Sequence, residues 1–260
     1  MAGKRWTNQE EQTLIKMNAE GYNYREISNA LGRSLASCQQ RGRNVLGLSG
    51  DQNVNEKFFE QDNQVTNYVL GYWMADGYIT YKSGGWYFGL TSIDSEHLEN
   101  IAELMEFKGN INVRKDGKTH DLVIGNKTLV NNMIKLGCRY NKTHDMSIQD
   151  LSINPKYFYD FIRGFFDGDG SYSFQTYVKR GGTRSISSLK FTGTKKMLTS
   201  VQDMLGYGTL IPDTRKGDCG YLMVFGNEMR ELLDLMYKSS EIALERKEEI
   251  YRKHNLLRMA

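Results

Sequence analysis

The chain has 260 residues, a length that predicts one medium domain with a small appendage or two comparable domains. Its composition, 39% hydrophobic and 25% charged, is that of a globular protein, and no apolar stretch approaches the roughly 20 residues that span a bilayer, so we expect no membrane role. The net charge of +3 is too small to indicate a nucleic-acid partner, and Cys38, Cys138 and Cys219 lie far apart, which fits a reducing compartment without zinc sites or disulfides. The polar N-terminus does not resemble a secretion signal, so we expect the protein in the cytoplasm or in the interior of a host cell or organelle.

Residues 1–48 predict three short helices. A capping-box pattern at Thr7 and Glu10 starts the first helix, and apolar residues at helical spacing place the others over 24–31 and 35–46. Gly21 and Gly32 are expected to end the first and second helices, and Ser34 to cap the start of the third. We therefore expect a small three-helix domain here, followed by a polar linker over 49–64.

The third predicted helix has one polar side. Gln40, Arg41 and Arg43 suit contacts in the DNA major groove, while Cys38 and Val45 are expected to turn inward. The stretch from RWTNQEEQ to EISNALGRS and the closing LGL resembles the Myb-like helix-turn-helix modules, which bind DNA. The alternative is a small helical bundle that binds a protein or only packs.

An internal repeat fills the rest of the chain. VLGYWMADGYI, which starts at Val69, matches FIRGFFDGDGSYSF, which starts at Phe161, and the segment 87–101 matches 189–201. Further on, 122–137 parallels 222–237, each with a strand, a turn and an amphipathic helix. Each half thus predicts the order helix, hairpin, helix, hairpin, helix, and two equivalent halves suggest a site on a pseudo-two-fold axis.

Both copies contain the same small-residue spacing before an aspartate. Gly71 and Ala75 in the first copy, and Gly164 and Gly168 in the second, are four residues apart, which lets two helices pack closely. Asp76 and Asp169 are then expected to meet at the helix interface. The glycines that follow them, Gly77 and Gly170, are expected to end each helix in the left-handed conformation.

Two carboxylates at two helix C-termini predict a cation site. The negative helix ends add to the carboxylate charges, and oxygen ligands without nearby His or Cys favour Mg²⁺, or Mn²⁺, over zinc. Asp76 and Asp169 are thus the candidate catalytic and metal-binding residues for two-metal phosphodiester hydrolysis. One such Asp-Gly pair alone is equally well explained as a helix end, but two at matching places in a repeat are not.

VLGYWMADG and FIRGFFDGDG resemble the two copies of the LAGLIDADG motif of homing endonucleases, over about 65–253. The resemblance implies an α+β fold in which two αββαββα halves, expected at 65–158 and 159–260, form a pseudo-two-fold pair with a β-saddle over double-stranded DNA. It also implies a monomeric, metal-dependent enzyme of intron homing that makes a staggered double-strand cut with 3′ overhangs. Met74 departs from the motif where the second copy has Asp167, but the family's acid at that position is usually structural.

The resemblance further implies one lysine near the metals after the last helix of each half. The candidates are Lys142 in RYNKTHD and Lys247 in IALERKEEI, where a lysine would orient water or offset charge on the phosphate. An ordinary surface lysine is the alternative for both. That alternative weighs more for Lys247, which stands among several glutamates.

DNA contacts are expected on the polar faces of the hairpins. In the segment 171–180, polar side chains alternate with apolar ones, and the segments 111–121 and 211–221 carry basic residues beside turns. The candidates are Arg114, Lys115, Gln175, Lys179, Arg215 and Lys216. A solvated hairpin without DNA would show the same pattern.

Two other functions remain open from the sequence. One is a protein of the same fold that binds without cutting, either an RNA maturase or a DNA-binding regulator. The other is an enzyme such as a glycosidase with paired aspartates, but its carboxylates would come from independent segments rather than from repeated helices.

Overall fold

A computed structural model describes residues 5–20, 22–46, 48, 54–82, 84–140, 142, 146–179, 182–215 and 217–259. Its N-terminal part contains α1 (Asn8–Ala19), α2 (Tyr24–Leu31) and α3 (Leu35–Gln40), which continues into a π-helical turn (Arg41–Val45). The capping box at Thr7 and the left-handed Gly32, with φ of 60°, are confirmed, whereas Gly21 lies outside the described residues. The three helices share a small apolar cluster of their own around Leu14, Tyr24, Ile27 and Cys38.

The third helix differs from the prediction at its end. The amide of Leu46 donates to the carbonyl of Arg41, five residues back, so the chain winds in a wider turn after Gln40. This turn changes the direction of the side chains that follow. Val45, which was expected to face inward, is consequently 56% exposed.

The rest of the chain folds into two halves. The first half contains α4 (Gln64–Asp76), β1 (Gly77–Lys82), β2 (Gly85–Ser92), α5 (Ser95–Leu104), β3 (Asn112–Val113), β4 (His120–Gly125) and α6 (Lys127–Lys135). The second contains α7 (Phe158–Asp169), β5 (Gly170–Lys179), β6 (Gly182–Thr194), α8 (Lys195–Leu205), β7 (Thr209–Pro212), β8 (Cys219–Phe225), α9 (Gly226–Tyr237) and α10 (Glu245–Met259). The order of helix, hairpin, helix, hairpin and helix is confirmed in both halves, so the fold is α+β. Part of the expected linker packs onto the first half, because Val54, Phe58 and Phe59 are buried in its core.

Each half forms one antiparallel sheet of four strands. The strand orders are β1-β2-β4-β3 and β5-β6-β8-β7, so the two sheets have the same topology. One face of each sheet is apolar and packs on helices: Ile79, Phe88 and Leu122 belong to the first, and Leu189 and Leu222 to the second. Because side chains alternate along a strand, the polar residues between them lie on the opposite face.

The two halves meet where α4 packs against α7. A Cβ added to Gly71 would lie 2.0 Å from the carbonyl oxygen of Phe161, and one added to Gly164 would lie 2.0 Å from that of Tyr68. The helix backbones therefore touch directly, as the small-residue spacing predicts. Only glycine fits at these two positions without moving a helix.

The conformation predicted for the glycines after the two aspartates was wrong. Gly77 has φ of -99° and Gly170 has φ of -88°, so both are extended and start β1 and β5 rather than forming left-handed helix ends. Glycine is needed at these two positions for a different reason, which is close contact with an aromatic ring. A Cβ on Gly77 would lie 2.2 Å from the ring of Trp73, and one on Gly170 would lie 2.2 Å from the ring of Phe166.

Candidate active site

Asp76 and Asp169 end the two packed helices. Asp76 is the last residue of α4 and Asp169 the last of α7, and both side chains are half-buried. A Cβ on Gly168 would lie 3.3 Å from Oδ2 of Asp76, so the Asp76 carboxylate rests directly on the partner helix. Both aspartates line one cleft of about 270 Å³, which we call the aspartate cleft, together with Lys142, Thr194 and Cys219.

The cleft disfavours two negative charges. Burial, and then the charge of Asp169, raise the pKa of Asp76 from 3.8 to about 6. Burial likewise raises the pKa of Asp169, while the nearby ammonium groups of Lys142 and Lys247 oppose this shift. At neutral pH a bound cation would therefore offset unfavourable charge at this position.

The two candidate lysines occupy equivalent positions beside the helix ends. Nζ of Lys142 donates hydrogen bonds to the carbonyl oxygens of Trp73, Met74 and Ala75 in the last turn of α4. Nζ of Lys247 donates to the carbonyls of Phe166, Asp167 and Gly170 at the end of α7. Each ammonium group thus neutralises the negative end of one helix.

Lys247 is buried despite its charged surroundings in the sequence. Its exposed fraction is 4%, and its ammonium group lies 4.9 Å from the centre of the Phe166 ring; Lys142 lies at the same distance from the Trp73 ring. Burial lowers the pKa of each lysine to about 8, and the nearby aspartates limit the fall. Both lysines remain mostly charged at neutral pH.

Asp167 is buried behind the cleft and has a network of its own. Its carboxylate accepts hydrogen bonds from the hydroxyls of Tyr237, at 2.6 Å, and Tyr68, at 2.8 Å, and from the amide of Leu244, at 2.8 Å. The hydroxyl of Tyr68 is also 2.9 Å from Nε2 of His97, whose pKa is lowered by burial to about 4. Asp167 therefore ties α4, α9 and the chain before α10 together.

The donor set fits a hard divalent cation that also binds substrate. Asp76 and Asp169 offer carboxylate oxygens, and across the described ranges no group of three or more His, Cys, Asp or Glu side chains could hold a metal. Mg²⁺ is commonly held by one or two carboxylates, with water and substrate phosphates completing its coordination. The protein's share of the ligands fits such a site.

The candidate DNA contacts in the first half lie on and beside the open sheet face. Asp121 pairs with Thr91 across the strands, and Arg114 donates to both of their side chains, at 2.6 to 2.9 Å. Arg114 thus lies over the open face, where its side chain is 47% exposed, and the neighbouring Lys115 is exposed as well.

In the second half, Gln175 is exposed on the open face, and Arg215 is exposed but pairs with Asp213 at 3.3 Å. The side chain of Lys179 and the whole of Lys216 lie outside the described residues. In the N-terminal part, Gln40 and Arg43 are exposed, whereas Arg41 forms an ion pair with Glu11. That pair engages Nε and Nη2 of Arg41.

Sequence reasoning did not identify three residues beside the site: Tyr237, Asp94 and Arg246. Tyr237 binds Asp167, and the guanidinium of Arg246 binds the Asp94 carboxylate across the two halves, with Nη2 3.0 Å from Oδ2. The repeat gave one indication of Tyr237, because the first copy has Gly137 at the equivalent position. No sequence pattern brings residue 94 to residue 246.

Comparison with known proteins gives one family match and several structural matches. Residues 63–133 match the family model described as the LAGLIDADG-like domain. The I-LtrWI LAGLIDADG homing endonuclease bound to target DNA superimposes with a TM-score of 0.56 at 15% identity, covering 76% of this chain and 90% of that one. I-SmaMI bound to uncleaved DNA in the presence of calcium ions gives 0.54 at 16%, covering 76% and 92%. I-SmaMI bound to cleaved DNA gives 0.51 at 17%, covering 74% and 87%.

The chain has the LAGLIDADG fold. The family match includes the first motif with Asp76, and the structural matches extend over both halves. None of the curated proteins matches the chain. The family match does not include 1–48, so the helix-turn-helix resemblance stays a prediction. Within the described ranges, no helix is both long and apolar enough to cross a bilayer.

Proposed function

We propose that this protein is a site-specific DNA endonuclease that makes a staggered double-strand break with 3′ overhangs, as homing endonucleases do. The observation that carries the proposal is the pair Asp76 and Asp169, on two helices that touch, with a lysine ammonium group bound to the carbonyls at each helix end. A protein that only binds DNA needs no such pair, because two abutting carboxylates repel the phosphate backbone.

The protein's own groups would divide the work as follows. Asp76 and Asp169 would hold the divalent cation, Mg²⁺ or Mn²⁺, that the reaction uses. When bound, the cation polarises the phosphate and lowers the pKa of an attacking water. Lys142 and Lys247, fixed by three carbonyls each, would offset the charge that develops on the phosphate.

The open sheet faces would contact the DNA on both sides of the cut. Arg114, Lys115, Gln175, Lys179, Arg215 and Lys216 are the proposed contacts, with Gln40, Arg41 and Arg43 binding flanking DNA through the N-terminal helices. Because both halves are in one chain, we propose that a monomer cuts both strands.

Two steps test this function. Selection of bound duplexes from a randomised library, in Ca²⁺, gives the target without requiring cleavage. The selected duplex is then incubated in Mg²⁺ with wild type, Asp76→Asn and Asp169→Asn, and both strands are mapped. Asp203→Asn, which removes an exposed carboxylate on α8, is the matched control.

Cleavage by wild type and the control, with at least a 10²-fold loss in both active-site variants, supports the proposal. Specific binding without cleavage by wild type would instead indicate a maturase or a DNA-binding regulator of the same fold.

A further inference from the structure

The chain segment that carries Lys247 is anchored by buried polar groups. Nε of Arg163 donates to the carbonyl of Ile242 at 2.9 Å, and the amide of Leu244 donates to Oδ2 of Asp167 at 2.8 Å. Three residues later the chain reaches Lys247, whose ammonium group binds the carbonyl of Asp167 itself. Asp167 thus holds the Lys247 segment by its side chain and the Lys247 ammonium group by its backbone.

The anchor is itself rigidly placed. Asp167 and Arg163 are each 1% exposed, and the Tyr237 hydroxyl donates to the other carboxylate oxygen, Oδ1 of Asp167. Nη1 of Arg163 also donates to the carbonyl of Met236 at 2.5 Å. A buried polar network of this kind favours one arrangement of the groups it contains.

At the aligned sequence positions of the first half, these anchors are replaced by other residue types. The two motifs align Leu70 with Arg163 and Met74 with Asp167, and the later helices align Gly137 with Tyr237. None of the three residues in the first half carries a charge or a side-chain hydrogen-bond donor. All three polar anchors of the Lys247 segment are therefore replaced together at the Lys142 segment.

A second contact joins the Lys247 side to the opposite half. The guanidinium of Arg246, next to Lys247 in the chain, binds the carboxylate of Asp94 in the first half through Nε and Nη2. The equivalent of Asp94 at the start of α8 is Thr194, which carries no charge. This ion pair holds the Lys247 segment to the opposite half.

We propose that Asp167 is a positioning residue for Lys247, and that the resulting difference between the two centres sets the order in which the strands are cut. The proposal rests on the proposed function. A catalytic group on a firmly anchored segment keeps its working geometry better than one on a less anchored segment, and a displacement of about 1 Å can cost roughly 10²-fold in rate. The strand that depends on Lys247 is therefore cut first, and a nicked intermediate accumulates.

The test follows each strand separately on the duplex chosen by binding. Lys247→Met and Lys142→Met first show which strand depends on which lysine. In wild type the Lys247-dependent strand should be cut about 10-fold faster than the other. Asp167→Asn keeps the size of the side chain but presents an NH₂ group to one of its three donors, so it should slow that strand about 10-fold and the other less than about 2-fold.

Tyr237→Phe is the milder second variant, and Asp203→Asn, which removes an exposed carboxylate on α8, is the control. General destabilisation would slow both strands equally, so the ratio of the two rates separates positioning from stability. Amide hydrogen exchange of the DNA-free protein gives an independent measure. We expect faster exchange at Leu244 in Asp167→Asn, with α4 unchanged.

The outcomes are distinguishable from failure of the proposed function. Bound DNA that wild type never cuts would overturn the endonuclease proposal itself. Cleavage with equal strand rates, with the Lys142-dependent strand first, or with a strand ratio unchanged in Asp167→Asn would overturn the positioning of Lys247 and leave the endonuclease intact.

Discussion

Replacing Gly71 with alanine should force α4 and α7 apart. The new Cβ would lie 2.0 Å from the carbonyl oxygen of Phe161 and 3.0 Å from the amide nitrogen of Phe165, whereas ordinary contacts begin near 3.4 Å. Both obstacles are backbone atoms within a helix, so no side-chain rotation relieves them. The helices must separate by about 1.4 Å at this point.

The cost follows from known overpacking effects. Inserting a methyl group into a packed core costs about 1 to 3 kcal/mol, and we expect the upper end because two backbones have to move. For a chain of this size, about 3 kcal/mol corresponds to a fall in Tm of roughly 6 to 12 °C. The separation also shifts Asp76 relative to Asp169, so cleavage should fall by about 10²-fold beyond any loss of folded protein.

Thermal unfolding and cleavage at a temperature where the variant is folded measure the two effects. Gly164→Ala, with its Cβ 2.0 Å from the carbonyl of Tyr68, should repeat the result from the other helix. Gly85→Ala is the matched control, because its nearest neighbour is the far end of the Tyr87 side chain, at an ordinary contact distance of 3.4 Å. A Tm for Gly71→Ala within about 2 °C of wild type would refute direct backbone contact between the helices.

Three further predictions concern charge and domain organisation. Because the pKa of Asp76 rises from 3.8 to about 6 on folding, ionisation of Asp76 destabilises the metal-free protein as pH increases through that range. Asp76→Asn should therefore raise Tm at pH 8 but not at pH 4. Equal Tm differences between variant and wild type at both pH values would contradict this. Lys142→Met and Lys247→Met should each retain DNA binding in gel shifts and lose about 10²-fold in cleavage; an unchanged rate would remove that lysine from the mechanism. Deletion of 1–50 should weaken binding and shorten the nuclease footprint without abolishing cleavage, and unchanged affinity would show that these helices do not bind flanking DNA.

The overall fold was predictable because its signals are local and occur twice. The capping box at Thr7 depends on residues three apart, and Gly71 and Ala75 are four residues apart, about one helix turn. Such short patterns follow from the fixed backbone geometry of a single helix, so they can be recognised in the sequence alone. The repeat then fixes the second half once the first is recognised.

Features that depend on contacts distant in sequence were not predictable in the same way. Lys247 stands beside Glu245 and Glu248, so its local pattern favours a surface helix, yet it is buried under the end of a helix about 80 positions earlier. The extended backbone of Gly77 likewise depends on β1 pairing with β2 and on the Trp73 ring. In both cases tertiary packing overrides what the neighbouring residues favour.

Close packing of α4 and α7 collects negative charge in the aspartate cleft, and this charge has to be offset. Bringing the ends of α4 and α7 together places two negative helix termini beside two carboxylates, so each close contact made at Gly71 and Gly164 increases the local negative charge. Lys142 and Lys247 partly neutralise the helix termini but hydrogen-bond to backbone carbonyls rather than to the carboxylates. The carboxylates thus keep their oxygen atoms available, and their residual repulsion is what a divalent cation would relieve. If α4 and α7 packed less closely, folding would cost less electrostatic free energy, but the cleft would hold that cation less tightly. The glycines at the helix contact, Gly71 and Gly164, are therefore part of the site as much as the aspartates are.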